Sequence, residues 1–192
     1  MPRAAVAALL AAIVSACAVV PRELPQIDPA AVTRFELEGR TNLRVPKESF
    51  PGRIRWQHAP VTDELWFYSP VGSAVAHLSR DARGARLVTS EGREYRAADL
   101  RQLAFDVLGW DLPLEGLPYW VRALPWPQGG ESVEESDAQG RLKQLRQAGW
   151  QVSYLDWSPA GVLGLPSKLD LQGERLRIRL VVERWSVDAG PR

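Results

Sequence analysis

A single cysteine stands in the 192 residues, so no intrachain disulfide and no multi-cysteine metal site is available. The two histidines, His58 and His77, lack a metal-ligand partner at helical or hairpin spacing. No glycine-flanked nucleophilic serine and no phosphate-cradling glycine loop occurs. Neither sign of charge dominates: 24 Lys plus Arg face 23 Asp plus Glu, a formal charge of +1, which leaves no electrostatic footprint for DNA or RNA. Bulky aromatics other than tryptophan are few, with 4 Phe and 4 Tyr. What is plentiful is Trp, at 8, together with 15 Gly and 15 Pro, a composition suited to short strands and many turns. At 45% apolar and 24% charged residues the chain is neither disordered nor collagen-like, and its length is that of one domain with a short appended segment.

The appended segment is N-terminal. Arg3 precedes an unbroken apolar run, Ala4–Val14, and then Val14-Ser15-Ala16-Cys17. Charge, apolar stretch and small residues follow the order of a secretory signal. A hydrophobic residue, two small residues and then cysteine resembles the bacterial lipobox, in which the signal is cut before a cysteine that becomes acylated. Two blander readings stand beside it: Cys17 as an ordinary buried thiol, or the segment as an uncut membrane span. The run is Ala-rich and stops at Pro21, short of the roughly 20 strongly apolar residues a span needs. The expected organisation is a signal peptide over 1–16, a lipidated N-terminus and tether over 17–32, and a folded domain over 33–188. Ala18, where an Asp would resemble an inner-membrane retention signal, points to the outer membrane. Cleavage removes Arg3 and leaves 23 basic and 23 acidic residues, so the mature chain is formally neutral.

The tether carries Pro21, Pro25 and Pro29 and lacks periodicity until a short helical turn near its end. Strand patterns follow. Phe35, Leu37, Gly39, Thr41, Leu43 and Val45 alternate with polar residues, the mark of a half-buried antiparallel strand. Arg53–His58, Asp63–Ser69, Ser73–Arg80, Arg86–Thr89 and Glu94–Arg96 continue it. The period then changes: Leu100, Leu103, Ala104, Val107 and Leu108 mark an amphipathic helix from Ala98 to Gly109. Leu117, Trp120, Val121 and Leu124 repeat that spacing, so a second helix is expected up to Pro125. Gly129–Gly140 reads as an acidic loop or short edge strand. Leu142–Gln147, Trp150–Tyr154, Ser167–Leu171 and Leu176–Trp185 are the closing strands. The fold class is mainly β with helices (α+β): roughly ten short antiparallel strands, each with one apolar face that must curl or find a cover.

Enzyme chemistry has little to stand on. Glu131, Glu134, Glu135 and Asp137 read as a solvated stretch, and His58 as a satisfied core residue. What remains is apolar surface, and a large apolar pocket is itself a site when the cargo is a lipid.

The order Phe35-Glu36-Leu37-Glu38-Gly39-Arg40, Gly52-Arg53-Ile54-Arg55-Trp56, Ser69-Pro70-Val71-Gly72 resembles the LolB family of outer-membrane lipoprotein receptors. Leu117–Pro125, Gly149–Tyr154 and Leu176–Trp185 extend the resemblance over essentially the whole mature chain. Ala123 departs from it, standing where the family often has Gly, and Val71 replaces a longer Leu. The resemblance implies an incomplete antiparallel β-barrel with helices capping a hydrophobic cavity. It implies a lipoprotein acceptor, anchored at Cys17 on the periplasmic face of the outer membrane. Such an acceptor takes acylated lipoproteins from a LolA-type periplasmic carrier and inserts them into the inner leaflet. No cofactor, metal or nucleic acid enters this reading, and the chain is expected to be monomeric. The alternative from another class is a lipid-anchored structural module of the outer membrane with a solidly packed domain; a periplasmic hydrolase is a weaker third.

The expected acyl-chain cavity is lined by the strand residues Leu37, Leu43, Ile54, Trp56, Trp150, Tyr154, Ile178 and Leu180, and closed by the helix residues Leu103, Val107, Trp120 and Val121. The Ser69–Gly72 turn carries an apolar middle residue where turns are normally polar. On spacing alone Val71 either folds back onto the core or projects. The resemblance favours a membrane-insertion loop of Pro70, Val71 and Gly72, with the apolar tip helping to place cargo into the bilayer.

Overall fold

The computed structural model describes residues 27–108, 114–158 and 164–187; Cys17, the signal segment, most of the tether and Gly109 lie outside them. Among the described residues eleven antiparallel strands form one sheet: β1 (Phe35–Val45), β2 (Glu48–Ala59), β3 (Thr62–Tyr68), β4 (Ala74–Asp81), β5 (Gly84–Thr89), β6 (Glu94–Ala97), β7 (Ser132–Ser136), β8 (Leu142–Gln147), β9 (Trp150–Trp157), β10 (Pro166–Gln172) and β11 (Arg177–Val187). Their order is β6-β5-β4-β3-β2-β1-β11-β10-β9-β8-β7, two meanders joined where β1 pairs with β11. The sheet is not closed: β6 and β7 are its two edges. Glu134 and Glu135, exposed on β7, are charges of the kind that keep an open edge from pairing with another chain.

Register explains which residues meet. Leu37 faces Trp56 on β2 and Trp185 on β11, and Leu43 faces Phe50 and Ile178. The β1–β11 ladder shifts by one residue at Glu38/Gly39. A Cβ on Gly39 would lie 2.1 Å from the Val181 carbonyl oxygen, so only glycine lets the two strands approach there. β2 begins five residues earlier than the alternation foretells and runs through Pro51. Proline is tolerated because β3 pairs with β2 only as far as Arg53, leaving the third-strand side of Pro51 unpaired. The acidic stretch after Gly129 supplies a true edge strand, β7.

Two helical segments lie in the crossover from β6 to β7. Helix α1 (Leu100–Leu108) starts where the Asp99 carboxylate accepts the Gln102 N–H at 2.7 Å. It turns Leu100, Leu103 and Ala104 inward against β5 and β6. The second segment is shorter than its apolar spacing foretells: α2 covers only Leu117–Trp120. Ala123 takes φ of 60°, Leu124 N–H bonds back to the Tyr119 oxygen, and Pro125 follows, which stops the helix. At the start of the described chain, Pro29–Ala31 forms a single 3-10 turn, and Val32 is fully buried.

Candidate functional site

The twelve residues expected to line a cavity all belong to one apolar cluster that spans both meanders and both helical segments. Leu37, Trp56, Leu103, Trp120, Val121, Trp150, Tyr154 and Leu180 are buried in it; Leu43, Ile54, Val107 and Ile178 are half-buried against it. They pack on one another. Trp120, with no exposed surface, stands 6.2 Å from the Trp150 ring and donates its indole N–H to Gln147 Oε1 at 3.1 Å. Tyr154 donates its hydroxyl hydrogen to the Trp120 carbonyl oxygen at 2.9 Å, and burial pushes its phenol well above the usual range.

A cleft of about 750 Å³ opens at the end of the sheet where the chain enters β1. Different residues border it: Leu100, Leu114, Pro118, Tyr119, Leu124 and Trp126 give apolar walls, and His58, Asp63, Arg80 and Arg122 give polar ones. Asp63 is 2% exposed and accepts from Trp56 Nε1 at 2.9 Å and Arg80 Nε at 2.7 Å; His58 Nδ1 lies 2.7 Å away. His58 is thus a satisfied residue in contact with the Phe35 and Trp56 rings. Arg122, also buried, donates to the Pro118 oxygen at 2.7 Å and to the Val32 oxygen, and lies 5.3 Å over the Tyr119 ring. It ties α2 to the end of the tether. Burial lowers its tendency to hold the proton, but the guanidinium remains charged.

Sequence patterns do not disclose this border. Arg122 and Asp63 are charged, and an apolar period passes over them. Gln147 is missed for the same reason. Its amide accepts from Trp120 and from Trp126 N–H, and donates to the Trp126 and Gly130 oxygens, making it the polar hub that holds the crossover onto β8.

At the opposite end of the sheet, the Ser69–Gly72 turn is closed by Gly72 N–H to the Ser69 oxygen at 2.9 Å and Ser69 N–H to the Ser73 oxygen at 2.8 Å. Gly72 has φ of 90°, which favours glycine. Val71 is 89% exposed: it projects and does not fold back.

The sequence pattern of the family described as outer membrane lipoprotein LolB matches residues 33–185. The chain belongs to the LolB family. An outer-membrane lipoprotein LolB of Nitrosomonas europaea is 41% identical over 155 residues, covering 79% of this chain and 72% of the relative. One from an Azoarcus species is 35% identical over 185 residues, 96% and 95% of the two chains. Among solved structures, a putative outer membrane lipoprotein-sorting protein domain of Vibrio parahaemolyticus overlays with a TM-score of 0.52 at 11% identity, over 83% of this chain and 87% of the other. A LolA superfamily protein of Nitrosomonas europaea gives 0.50 at 9% identity, over 83% and 88%. At such identities these two overlays speak for the fold alone, the mostly β architecture this chain shares with the two proteins.

Proposed function

We propose that this protein is the outer-membrane acceptor of lipoprotein localisation. It takes acylated lipoproteins from a LolA-type carrier and releases them into the inner leaflet of the outer membrane. The observation that supports this best is the open sheet, whose apolar face forms one cluster with residues of two short helical segments beside an open cleft. An acyl chain in water is costly, so it must pass from one apolar interior to another without exposure. A core capped by a four-residue helix and one nine-residue helix is easier to part than one sealed by a second sheet. Transfer then runs downhill when this interior holds the chain more tightly than the carrier does and less tightly than the bilayer. About 1.4 kcal/mol between steps is a tenfold preference.

Division of labour follows the chain. Residues 1–16 are removed as a signal, Cys17 carries the lipid anchor, and 17–32 tether the domain that begins at 33. The twelve residues named above form the acyl-binding face, and Pro70, Val71 and Gly72 form the membrane-insertion loop. Anchoring comes from the acyl chains at about 0.8 kcal/mol per buried methylene.

A fluorescent fatty-acid probe separates this reading from a solidly packed structural module. The unacylated Cys17→Ala chain should bind the probe saturably and lose it to an acylated lipoprotein. Absence of saturable binding overturns the acceptor.

A further inference from the structure

The end of the sheet that carries Val71 has more on it than one valine. Tyr68, the last residue of β3, pairs with Arg53 of β2; three residues further, β2 still runs on at Phe50, while the other chain segment has entered the turn that carries Val71. Phe50 is 54% exposed and pairs with Leu43, which in turn pairs with Ile178. Ile178, Leu43 and Phe50 therefore form an apolar row across β11, β1 and β2, on the face that bears the apolar cluster and at the end of the sheet that carries the Val71 turn.

Because side chains alternate along a strand, the next residues point to the other face. There Arg44 stands directly opposite Arg177, and Arg179 lies one step below. The three arginines border one hollow together with Asn42. Among the described residues one carboxylate serves them: Asp170 accepts from Arg179 at 2.7 Å and Arg177 at 2.6 Å. Arg44 has no ion pair among the described residues, so two positive charges stay uncompensated. Like charges facing each other across a ladder cost stability, and an external anion would relieve them.

We propose that this end of the sheet is a bilayer-docking face, with Phe50 as a second apolar contact beside Val71 and the Arg44–Arg177–Arg179 cluster receiving lipid phosphates. The inference rests on the reading that Val71 touches the membrane. A sheet approached end-on presents an apolar lip on one face and a cationic lip on the other, which matches the acyl and phosphate layers of a leaflet. Nine residues lie between Cys17 and Ile27, ten Cα steps with a contour of about 33–36 Å, and β1, with 11 residues, is about 35 Å long. The contour of that stretch is therefore as long as the sheet's own β1.

The test is co-flotation of the unacylated Cys17→Ala chain with vesicles of phosphatidylcholine alone or mixed with phosphatidylglycerol, at low and high salt. Phe50→Ser should weaken binding several-fold to both vesicles. Arg44→Gln with Arg177→Gln should weaken only the anionic-vesicle binding, about fivefold per charge removed, and flatten its salt dependence. Unchanged melting temperatures establish that the exposed-site variants are folded; Phe50→Tyr, which keeps the ring, should retain most binding. Wild-type binding by both the Phe50→Ser and the arginine variants overturns the proposal even if Val71→Glu binds less, in which case the tip reading stands alone. Weakening by these variants with none by Val71→Glu keeps the face and removes the tip. Loss of cargo acceptance from the carrier with unchanged flotation assigns the face to a protein partner and overturns it as well.

Discussion

The Tyr154 hydroxyl donates to the backbone oxygen of Trp120 at 2.9 Å, so strand β9 holds the single turn of α2 in place from below. Trp120 then covers Trp150, and Gln147 fixes its indole. The cap over the apolar face is thus held by a few polar bonds, not by length of helix. Tyr154→Phe should cost about 0.5–1.5 kcal/mol of stability, because it removes one of the two bonds to a buried carbonyl that the Ala123 N–H still serves. It should also raise the on-rate of a fatty-acid probe by loosening the cap. Urea unfolding and stopped-flow binding measure the two; an unchanged midpoint would show that the bond does not hold the cap.

Ala123 is a non-glycine residue at φ of 60°, three residues past the end of α2. The left-handed region costs an L-residue roughly 1 kcal/mol relative to glycine. Ala123→Gly should therefore stabilise the chain by about 0.5–1 kcal/mol, despite the entropy glycine usually loses. A lower thermal midpoint would contradict it.

Much of this architecture is legible in the amino-acid pattern. Alternation from Phe35 to Val45 and the period change at Leu100 mark strand and helix because each element has one water-facing side. The twelve apolar positions come together since burial is what patterning encodes. What patterning does not encode is conformation at single residues and polar partners distant in sequence. The early end of α2 depends on Ala123 and Pro125, not on periodicity, so the run Leu117–Leu124 looks helical throughout. Gln147, 27 residues from Trp120, and the Asp63–Arg80 bond, 17 residues apart, depend on strand order. The Arg44–Arg177 juxtaposition needs the β1–β11 pairing, which joins the two ends of the domain.

Val71→Glu should leave stability within about 0.5 kcal/mol of wild type, since an exposed turn residue makes few contacts. Acceptance of cargo from the carrier should be unchanged and insertion into liposomes slowed. One valine contributes at most about 1.5–3 kcal/mol even when fully buried, which suits a transient touch better than an anchor. Insertion at the wild-type rate would remove Val71 from the membrane step.

Arg179 foremost, with Arg177, holds the Asp170 carboxyl below the usual carboxylate range, against the burial that pushes it up. A carboxyl depressed in the folded state contributes stability that is present above its unfolded value and lost as pH falls through the folded one. Asp170→Asn should therefore be destabilised at pH 7. The gap between wild type and variant should close progressively as pH falls below about 4. A gap that stays constant across that range would show that ionisation of Asp170 is not what stabilises the β10–β11 pair.

The most direct measurement is transfer between purified proteins. A LolA-type carrier loaded with an acylated lipoprotein is mixed with the unacylated Cys17→Ala chain, and the cargo's partner is identified by affinity capture. The acylated lipoprotein should move to this chain without nucleotide, while the same lipoprotein lacking its acyl chains should not. Acylated cargo that stays entirely on the carrier would contradict the acceptor role.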